Sequence, residues 1–210
     1  VAGFLAYQQQ TQTFERAAVE NGWLPSLTGR GDPVRVQGTQ VSGDFFSTYG
    51  VQPALGRVIR PNEAEAGHNK VVVLSNGMWQ RVLGGDPNAI GQKLNLDGEG
   101  YEVVGVMPTS FRDFFGRRSE FWVPLVFPER LKDPNMWTNE FLAFTGRLRP
   151  GVSFEQASAD MAAFGLRLRT DNPNRFSPDW GLLMTTLNEK ARGPLRQALY
   201  YMLGAVGLVL

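Results

Sequence analysis

The feature that most constrains how this chain can fold is a β-rich unit over residues 70–112. It opens with Val71–Leu74, which is short, apolar and rich in β-branched residues and therefore predicts a buried strand. An amphipathic helix is predicted over residues 77–83, and Gly84 ends it because glycine tolerates the left-handed conformation of a helix C-terminus. Asp86-Pro87 predicts a further helical turn, with the aspartate as N-cap.

The same unit ends in a predicted β-hairpin. Leu94 and Leu96 lead into Asp97-Gly98, and residues 101–106 lead out. Asp-Gly favours a tight turn because it accommodates the positive φ angles that the turn requires. Ser75 follows the first strand, but it lacks the Gly-x-Ser-x-Gly elbow of a hydrolase nucleophile. The unit therefore predicts a packed scaffold rather than a reactive site.

Composition narrows the classes of function. Of the 210 residues, 42% are hydrophobic and 20% are charged, and the formal net charge is +1. The chain can thus form a substantial core, and it lacks the basic excess usual in nucleic-acid-binding proteins. It has no cysteine and one histidine, His68. Disulfides, thiolate zinc sites and histidine clusters are therefore excluded, and a Ser-His-Asp triad would have to use a histidine in a polar loop.

Three local motifs have simpler interpretations than a functional site. The tripeptide at residues 30–32 spells Arg-Gly-Asp, but glycine followed by Asp-Pro explains it as a turn rather than an adhesion motif. Glu63 and Glu65 lack the dense oxygen-ligand spacing of a calcium loop, so we expect them to lie in a solvated loop. Basic residues alternate with phenylalanines over residues 110–118, which would suit base stacking, yet the near-neutral charge favours a surface loop. We predict no catalytic, cofactor-binding or metal-binding residue.

The N-terminal part of the chain has a less regular pattern. We expect a helix over residues 3–16, an extended segment over 17–27 and a strand over 34–41. Ser42 is predicted to N-cap a short helix that ends at Gly50.

Strands are also predicted after the β-rich unit. Residues 121–125 predict a short one, and Pro124 marks it as an edge or terminal strand because proline has no N–H to donate. Residues 129–138 are polar and contain proline, as expected of a linker, and residues 141–149 predict another strand.

The clearest helix in the chain follows. Ser153 and Gln156 form a capping-box sequence at its start. Its apolar residues recur at spacings of three and four and predict one core-facing side: Phe154, Ala157, Met161, Phe164 and Leu168. Asn172 ends the helix, and a last strand over residues 180–187 would complete a βαβ-type unit.

The chain ends in an apolar run, residues 198–210, that contains no charged residue. The run is shorter than the ~20 residues that span a bilayer. A helix packed on the domain is one interpretation. We favour the start of a transmembrane helix, because the run is apolar all round and is preceded by Arg192 and Arg196, with Tyr200 near its start. The first residue is Val1, so we expect a fragment of a longer protein.

Eight short motifs follow one another along residues 41–151. They are VSGDFF (41–46), GVQPALGR (50–57), VVVLS (71–75), WQ (79–80), GGDP (84–87), IG (90–91), YEVVGVMP (101–108) and GRLRPG (146–151). In this order they resemble the MacB-like periplasmic core domain of FtsX-like ABC transporter permeases. The resemblance covers most of residues 37–210, and although GGDP alone is unspecific, so many motifs in order indicate the family.

The resemblance implies an α+β fold with two subdomains. A porter-like α/β subdomain would be split between residues 1–41 and 137–193, and a strand-rich, Sabre-like subdomain would be inserted at residues 42–136. Residues 194–210 would begin a transmembrane helix. The domain would lie on the extracytoplasmic, or periplasmic, side of the inner membrane, between the first two membrane helices.

The resemblance also implies a non-catalytic module that couples cytoplasmic ATP hydrolysis to substrate export or envelope work. The implied partners are a cytoplasmic ABC ATPase domain or subunit, a second permease in a homo- or heterodimer, and a periplasmic adaptor, with no cofactor and no nucleic acid. Consistently, the chain has no Gly-x-x-x-x-Gly-Lys-Ser/Thr loop. Residues 129–139 and 173–178 are candidate hinge or partner-contact loops. The alternative is a membrane-anchored ligand-binding or sensor domain without transport activity.

Overall fold

The computed structural model describes Phe4, Tyr7 and residues 13–111, 118–128 and 142–190. In these residues a mixed β-sheet is flanked by helices. The strands are β1 Phe14–Trp23, β2 Ser26–Thr28, β3 Val34–Arg35, β4 Gly38–Val41, β5 Leu55–Gly56, β6 Val71–Leu74, β7 Lys93–Leu96, β8 Glu99–Val106, β9 Phe121–Pro124 and β10 Ala143–Leu148. The helices are α1 Phe45–Tyr49, α2 Asn76–Leu83 and α3 Phe154–Asp171, with a 3-10 helix at Pro61–Ala64. Residues 187–190 are also helical.

The strands follow the order β10-β1-β4-β9-β6-β8-β7-β2-β3, and β5 pairs with β8 outside this path. The pairs β4–β9 and β6–β8 are parallel, whereas β6–β9, β7–β8 and β1–β10 are antiparallel. The mixture follows from the connections: β7 and β8 are joined by a tight hairpin, while the parallel partners are far apart in sequence. This mixed sheet is the α+β fold that the motifs predict.

The central strands are buried on both faces. Val72 and Leu74 point into one core with α2, and Val73, between them, points into another core with α1. Phe121 and Trp122 on β9 divide in the same way. Successive side chains of a strand face opposite sides of the sheet, so a strand covered on both sides reads as a continuous apolar run. This explains why the run Val71–Leu74 is apolar at every position.

A third core lies beneath α3, at the β1–β10 end of the sheet. We call it the aromatic cluster: Tyr7, Phe14, Met161, Phe164, Leu168 and Phe176. Thr13 ties β1 to this helix, because its Oγ1 donates a 2.8 Å hydrogen bond to the carboxylate of Asp160. The predicted apolar side of the helix therefore packs against the sheet edge and against residues from both ends of the described chain.

Several local predictions are confirmed. Asp97 and Gly98 form the hairpin turn with φ angles of 51° and 83°. Gly84 ends α2 in the left-handed conformation with φ of 63°, as predicted. The cap at the start of α2, where the Met78 N–H donates to Ser75 Oγ at 3.1 Å, was not predicted. The predicted capping box at Ser153 and Gln156 is present at the start of α3.

Near the N-terminus, two predictions are wrong. Phe4 and Tyr7 are helical and residues 17–23 are extended, both as expected, but the predicted helix does not reach residue 16: Phe14–Arg16 belong to β1, because they pair with β10 across a long sequence separation. Ser42 does not cap α1. Its Oγ accepts the N–H of Val19 at 3.1 Å and so joins β1 to the end of β4.

Two further predictions about proline-containing segments are wrong. Asp86 does not start a helical turn: its carboxylate accepts the N–H of Asn88 at 2.8 Å and the Nε2 of Gln92 at 2.9 Å, which makes a side-chain-stabilised turn. Strand β9 is central rather than at an edge. Pro124 is tolerated there because it is the last residue of the strand, and the next N–H, from Leu125, donates to Val41.

The predicted last strand is also wrong. Residues 181–186 form neither helix nor strand, so β10 and α3 are not followed by the strand that would complete the predicted βαβ unit. The segment packs on α3 instead, where side-chain contacts rather than strand pairing hold it.

Several predictions lie outside the described residues: the linker at 129–138, the hinge candidate at 129–139, the tail at 194–210 and most of the basic segment at 110–118. Across the described ranges, no helix has both the length and the apolar character needed to cross a membrane.

Candidate functional site

An apolar groove with a volume of about 740 Å³ opens between β10, α3 and residues 176–187. The aromatic cluster forms its deepest part. Its walls add partly buried apolar residues that retain contact with solvent: Phe144, Leu148, Trp180, Leu182 and Met184. Leu183, at 99% exposure, stands fully exposed beside them. The arrangement can hold an apolar group, and the described residues that line the groove include no carboxylate.

Tyr7 lies at the centre of the aromatic cluster, with 4% of its surface exposed. Its ring centroid is 5.3 Å from Phe144, 5.4 Å from Phe14 and 5.7 Å from Phe164. The contacts with Phe144 and Phe164 are edge-to-face, which aromatic pairs prefer. The N-terminal end of the described chain is therefore packed onto α3 and β10.

The C-terminal end of the described chain packs onto the same helix. Arg169 donates from its guanidinium to the carbonyl oxygens of Pro178 and Trp180, the latter at 3.1 Å. Because Gly165 has no side chain, the segment around Leu182 can pack close to α3. A Cβ on Gly165 would lie 3.1 Å from the N atom of Leu182. Residues 178–182 are thus held on α3 by one side chain and one close approach.

The rim of the groove is polar. Lys190 and the hydroxyls of Thr185 and Thr186 lie there. The neighbouring Glu189 accepts hydrogen bonds from the Thr186 N–H at 3.1 Å and from the Thr186 hydroxyl at 3.0 Å. These bonds, the backbone one foremost, lower the pKa of Glu189 below its usual range. Its carboxylate is therefore ionised and directed at the start of the helical stretch.

Glu63 has a structural role. Its carboxylate accepts two hydrogen bonds from the Arg57 guanidinium, at 2.9 and 2.6 Å, and one from the Arg60 N–H at 2.8 Å. Burial raises the pKa of Glu63, but these bonds and the two arginine charges outweigh it and leave the pKa below the ordinary 4.5. The prediction of a solvated loop is wrong for Glu63, which is buried. Glu65 is exposed, as predicted.

The other residues weighed as reactive or binding groups lie apart from the groove. His68 is exposed in its loop, Ser75 caps α2, and Arg30 donates to the Gln92 side chain at 3.0 Å. Phe111 packs against the core on the α1 side of the sheet. Among the described residues no group of three or more histidine, aspartate or glutamate side chains could hold a metal ion.

Sequence patterns alone did not reveal the groove. The spacing of apolar residues in α3 predicts that one side is covered, and that side is indeed buried at Met161, Phe164 and Leu168. It does not reveal that the covering is incomplete. The sequence feature that comes nearest to indicating the groove is the cluster of apolar residues at 180–187. This cluster is equally typical of a strand.

Three solved structures share this fold. The periplasmic region of MacB from Actinobacillus actinomycetemcomitans has a TM-score of 0.58 at 13% identity, covering 83% of this chain and 73% of that one. The extracellular domain of the ABC-type transporter YknZ from Gram-positive bacteria gives 0.60 at 13% identity, with 86% and 87% covered. A domain of a putative permease from Porphyromonas gingivalis gives 0.58 at 15% identity, with 87% and 80% covered.

No curated protein sequence matches the chain. The sequence model of the MacB-like periplasmic core domain matches residues 3–164, which is most of the chain. The ordered motifs and the mixed sheet agree with that match. The chain therefore belongs to the MacB-like periplasmic core domain family, the extracytoplasmic domains of ABC-type transporter permeases.

Proposed function

We propose that this domain transmits conformational change from a cytoplasmic ABC ATPase to the extracytoplasmic side of the inner membrane, where it drives substrate export or envelope work without catalysing a reaction itself. The observation that carries the proposal is the convergence of both ends of the described chain on α3. Tyr7 and residues 176–184 pack into one cluster. A domain held between two membrane helices needs its two ends together, so that movement of the helices reaches it as a unit.

The positions of the three cores support a division of the domain into two subdomains. We propose a porter-like subdomain of residues 1–41 and 137–193 with residues 42–136 inserted, and residues 194–210 as the start of a membrane helix. All six residues of the aromatic cluster fall within the porter-like ranges. The cores on the two faces of the central strands draw mainly on the insert. Membrane movement would therefore act first on the aromatic cluster, and the insert would move with the sheet.

The proposed partners are a cytoplasmic ATPase domain or subunit, a second permease in a dimer, and a periplasmic adaptor. ABC-type transporters contain an ATPase, and the relatives described above are parts of such transporters. The groove is compatible with the alternative, a membrane-anchored ligand-binding domain without transport. The two functions differ in whether ATP changes the position of this domain.

A topology experiment tests the proposed side of the membrane. Ala66→Cys in the full-length protein, with any other cysteines replaced, places a thiol in an exposed loop. Ala66 is preferable to the hairpin tip, because Gly98 has φ of 83° and a cysteine there would be strained. We expect a membrane-impermeant maleimide to label intact cells whose outer membrane, if present, has been permeabilised. Labelling that requires lysis of the inner membrane would contradict the proposal.

A second experiment tests transmission. A spin label at Ala66 in the assembled transporter reports the distance between two copies of the domain. We expect that distance to change when ATP binds, and Phe164→Ala to abolish the change while ATP hydrolysis persists, because the cluster that joins both ends is weakened. Leu166→Ala, on the exposed side of the same helix, is the matched control and should retain the change. If ATP binding does not change this distance in the labelled protein without a further substitution, the sensor function is favoured.

A further inference from the structure

We propose that residues 181–185, which we call the strap, add to the outer edge of β10 as a parallel strand, so that the groove has a closed form besides the open form described above. In the strand order of the described residues β10 comes at one end, with β1 as its one neighbour. The edge of a strand without a second neighbour is a template for a further strand, because its N–H and C=O groups point outward.

The strap already has the side-chain pattern of a strand. From Trp180 to Thr186, half-buried and exposed residues alternate at every position. The half-buried ones include Leu182 and Met184, which pack against the aromatic cluster. This period of two is that of a strand with one covered face. Yet the N–H groups of residues 181–185 donate no backbone hydrogen bond to another described residue, so the pattern is present without its ladder.

Both ends of the strap are anchored. Before it, the Arg169 guanidinium donates to the carbonyl oxygens of Pro178 and Trp180. After it, Thr186 Oγ1 accepts the N–H of Glu189 at 3.1 Å, and the Glu189 carboxylate accepts the N–H of Thr186 at 3.1 Å. This reciprocal pair caps the helical stretch that follows. The strap is therefore a short segment that can move sideways while both anchors persist.

The direction of the strap suits parallel pairing with β10. Arg169 contacts Trp180. One turn earlier in α3, Gly165 lies beside Leu182, so the strap runs antiparallel to the helix. A short connection, residues 149–153, joins β10 to α3, and the helix therefore turns back along the strand. Strand β10, helix α3 and the strap together form the kind of crossover that parallel strands require.

The side chains that face the aromatic cluster set the register. On β10 these are Phe144 and Leu148, and on the strap they are the residues with even numbers. Pairing Phe144 with Leu182 keeps both on the cluster side and places Met184 beside Gly146, which has no side chain to compete for the space. A shift by one residue would turn Leu182 away from the cluster. In this register the strap fills the groove with its own apolar side chains.

Disulfide trapping tests the closed form in the full-length permease, with any cysteines outside this domain replaced. Ala143→Cys and Gly181→Cys put thiols on neighbouring positions of the paired strands, and a Cβ on Gly181 meets nothing within 4 Å. The matched control combines Ala143→Cys with Leu183→Cys, which lies on the same face, two residues further along, and is more accessible because Leu183 is 99% exposed.

We expect copper phenanthroline to oxidise the first pair about tenfold faster than the control pair, because directly neighbouring strand positions meet the distance that a disulfide requires and diagonal ones do not. Random collision would favour the more exposed thiol at position 183. Equal rates, a faster control or no disulfide in either pair would overturn the proposal.

Hydrogen exchange of the unmodified permease gives a measurement that needs no substitution. A strand at a sheet edge sends every second N–H to its neighbour. We therefore expect alternate amides of residues 181–185 to exchange about tenfold more slowly than in the denatured protein, and faster than the amides of β6. Mass spectrometry with fragmentation to single residues measures this. Uniformly fast exchange would overturn the proposal even if the disulfide forms, because the closed form would then be a rare excursion.

A single variant distinguishes the strap from a second copy of the chain. If Ala143→Cys alone gives a disulfide-linked dimer, the edge of β10 is taken by another copy, and the proposal is overturned. The inference goes beyond the proposed transmission and does not depend on it. The strap can fail to cross-link while the ATP-dependent distance change at Ala66 persists, or the reverse.

Discussion

Apolar side chains are covered to different degrees in the central sheet and around α3. At the centre of the sheet, β6, β8 and β9 are covered on both faces, and Val72, Leu74 and Phe121 have no exposed surface. Around α3, Phe164 is buried to the same degree, but Leu166 is 53% exposed and Leu183 is 99% exposed. The central region is a closed core, whereas the α3 region is a core with one side open.

The difference lies in how the backbone is held. Each central strand has two strand neighbours, so its position is fixed by ladders of hydrogen bonds on both sides. Residues 181–186 have no such ladder and rely on Arg169 and on close packing at Gly165. Few supporting backbone contacts mean a lower free energy of local opening. We therefore expect residues 181–186 to open locally at a lower free energy than the strands of the central sheet.

The largest expected effect comes from crowding the central sheet. A Cβ on Gly105 would lie 2.0 Å from the carbonyl oxygen of Arg57, a backbone atom that cannot move aside easily. We expect Gly105→Ala to prevent folding, as judged by soluble yield and circular dichroism. Gly100→Ala, on the same strand but with its nearest neighbour at 3.9 Å, is the control and should fold. A soluble Gly105→Ala domain with an unchanged melting temperature would show that the centre is not tightly closed.

Truncation of one phenylalanine in each region measures the contrast directly. We expect Phe121→Ala to lower the free energy of unfolding by about 3–5 kcal/mol, because it leaves a cavity in a core that cannot collapse. Phe176→Ala should cost less, about 1–2 kcal/mol, because the neighbouring segment can move to fill the space. Urea denaturation of the domain measures both. Equal losses would mean that the α3 region is as rigid as the centre.

The Arg57–Glu63 pair predicts a pH dependence on the closed side. The pKa of Glu63 is lowered in the folded protein, so its stabilising effect is complete above the unfolded value near 4.5 and is lost as the pH falls through the lower folded pKa. Glu63→Gln should cost about 1–2 kcal/mol at neutral pH and remove this part of the acid sensitivity. Glu65→Gln, in the same loop but exposed, is the control. Urea midpoints at pH 7 and pH 3 measure the effect, and identical acid sensitivity in both variants would contradict it.

The smallest expected effect concerns residues 181–186, which pack on α3 without forming a strand. Gly165→Ala improves helix propensity by about 1 kcal/mol, but its Cβ would press on the N atom and side chain of Leu182. Because residues 181–186 can yield, we expect nearly unchanged global stability together with faster hydrogen exchange at Leu182. Hydrogen-exchange mass spectrometry measures the local change, with the β6 amides as an internal reference. A loss of global stability above about 2 kcal/mol would show that residues 181–186 are rigid.

Local interactions made much of the fold predictable. The turn at Asp97-Gly98, the caps of α2 and α3 and the buried run Val71–Leu74 each follow from a few neighbouring residues. Their conformations depend on backbone sterics and hydrogen bonds that span at most a few positions. The order of the short motifs likewise indicated the family, which the match to the family's sequence model confirms.

Pairing across long sequence separations is what local patterns missed. The first residues of β1, Phe14–Arg16, are extended instead of helical because β10 lies beside them, and Ser42 accepts the Val19 N–H because β1 and β4 meet there. Glu63 is a different case, because its partners Arg57 and Arg60 are near in sequence and it is the folded loop that places them around its carboxylate. For Phe14 and Ser42 the neighbouring sequence is compatible with more than one local structure, and a partner that is distant in sequence determines which one forms.

The sequence by itself determined the type of protein: a folded α+β scaffold without cysteine chemistry, with a strand–helix–hairpin unit at its centre and the motifs of one permease domain family. Only the tertiary structure decided that the central run is covered on both faces, that β9 is central, and that residues 181–186 lie along a groove instead of joining the sheet. The physical reason is that apolar periodicity records which side of an element is turned from water. It does not record which element covers that side, or how completely.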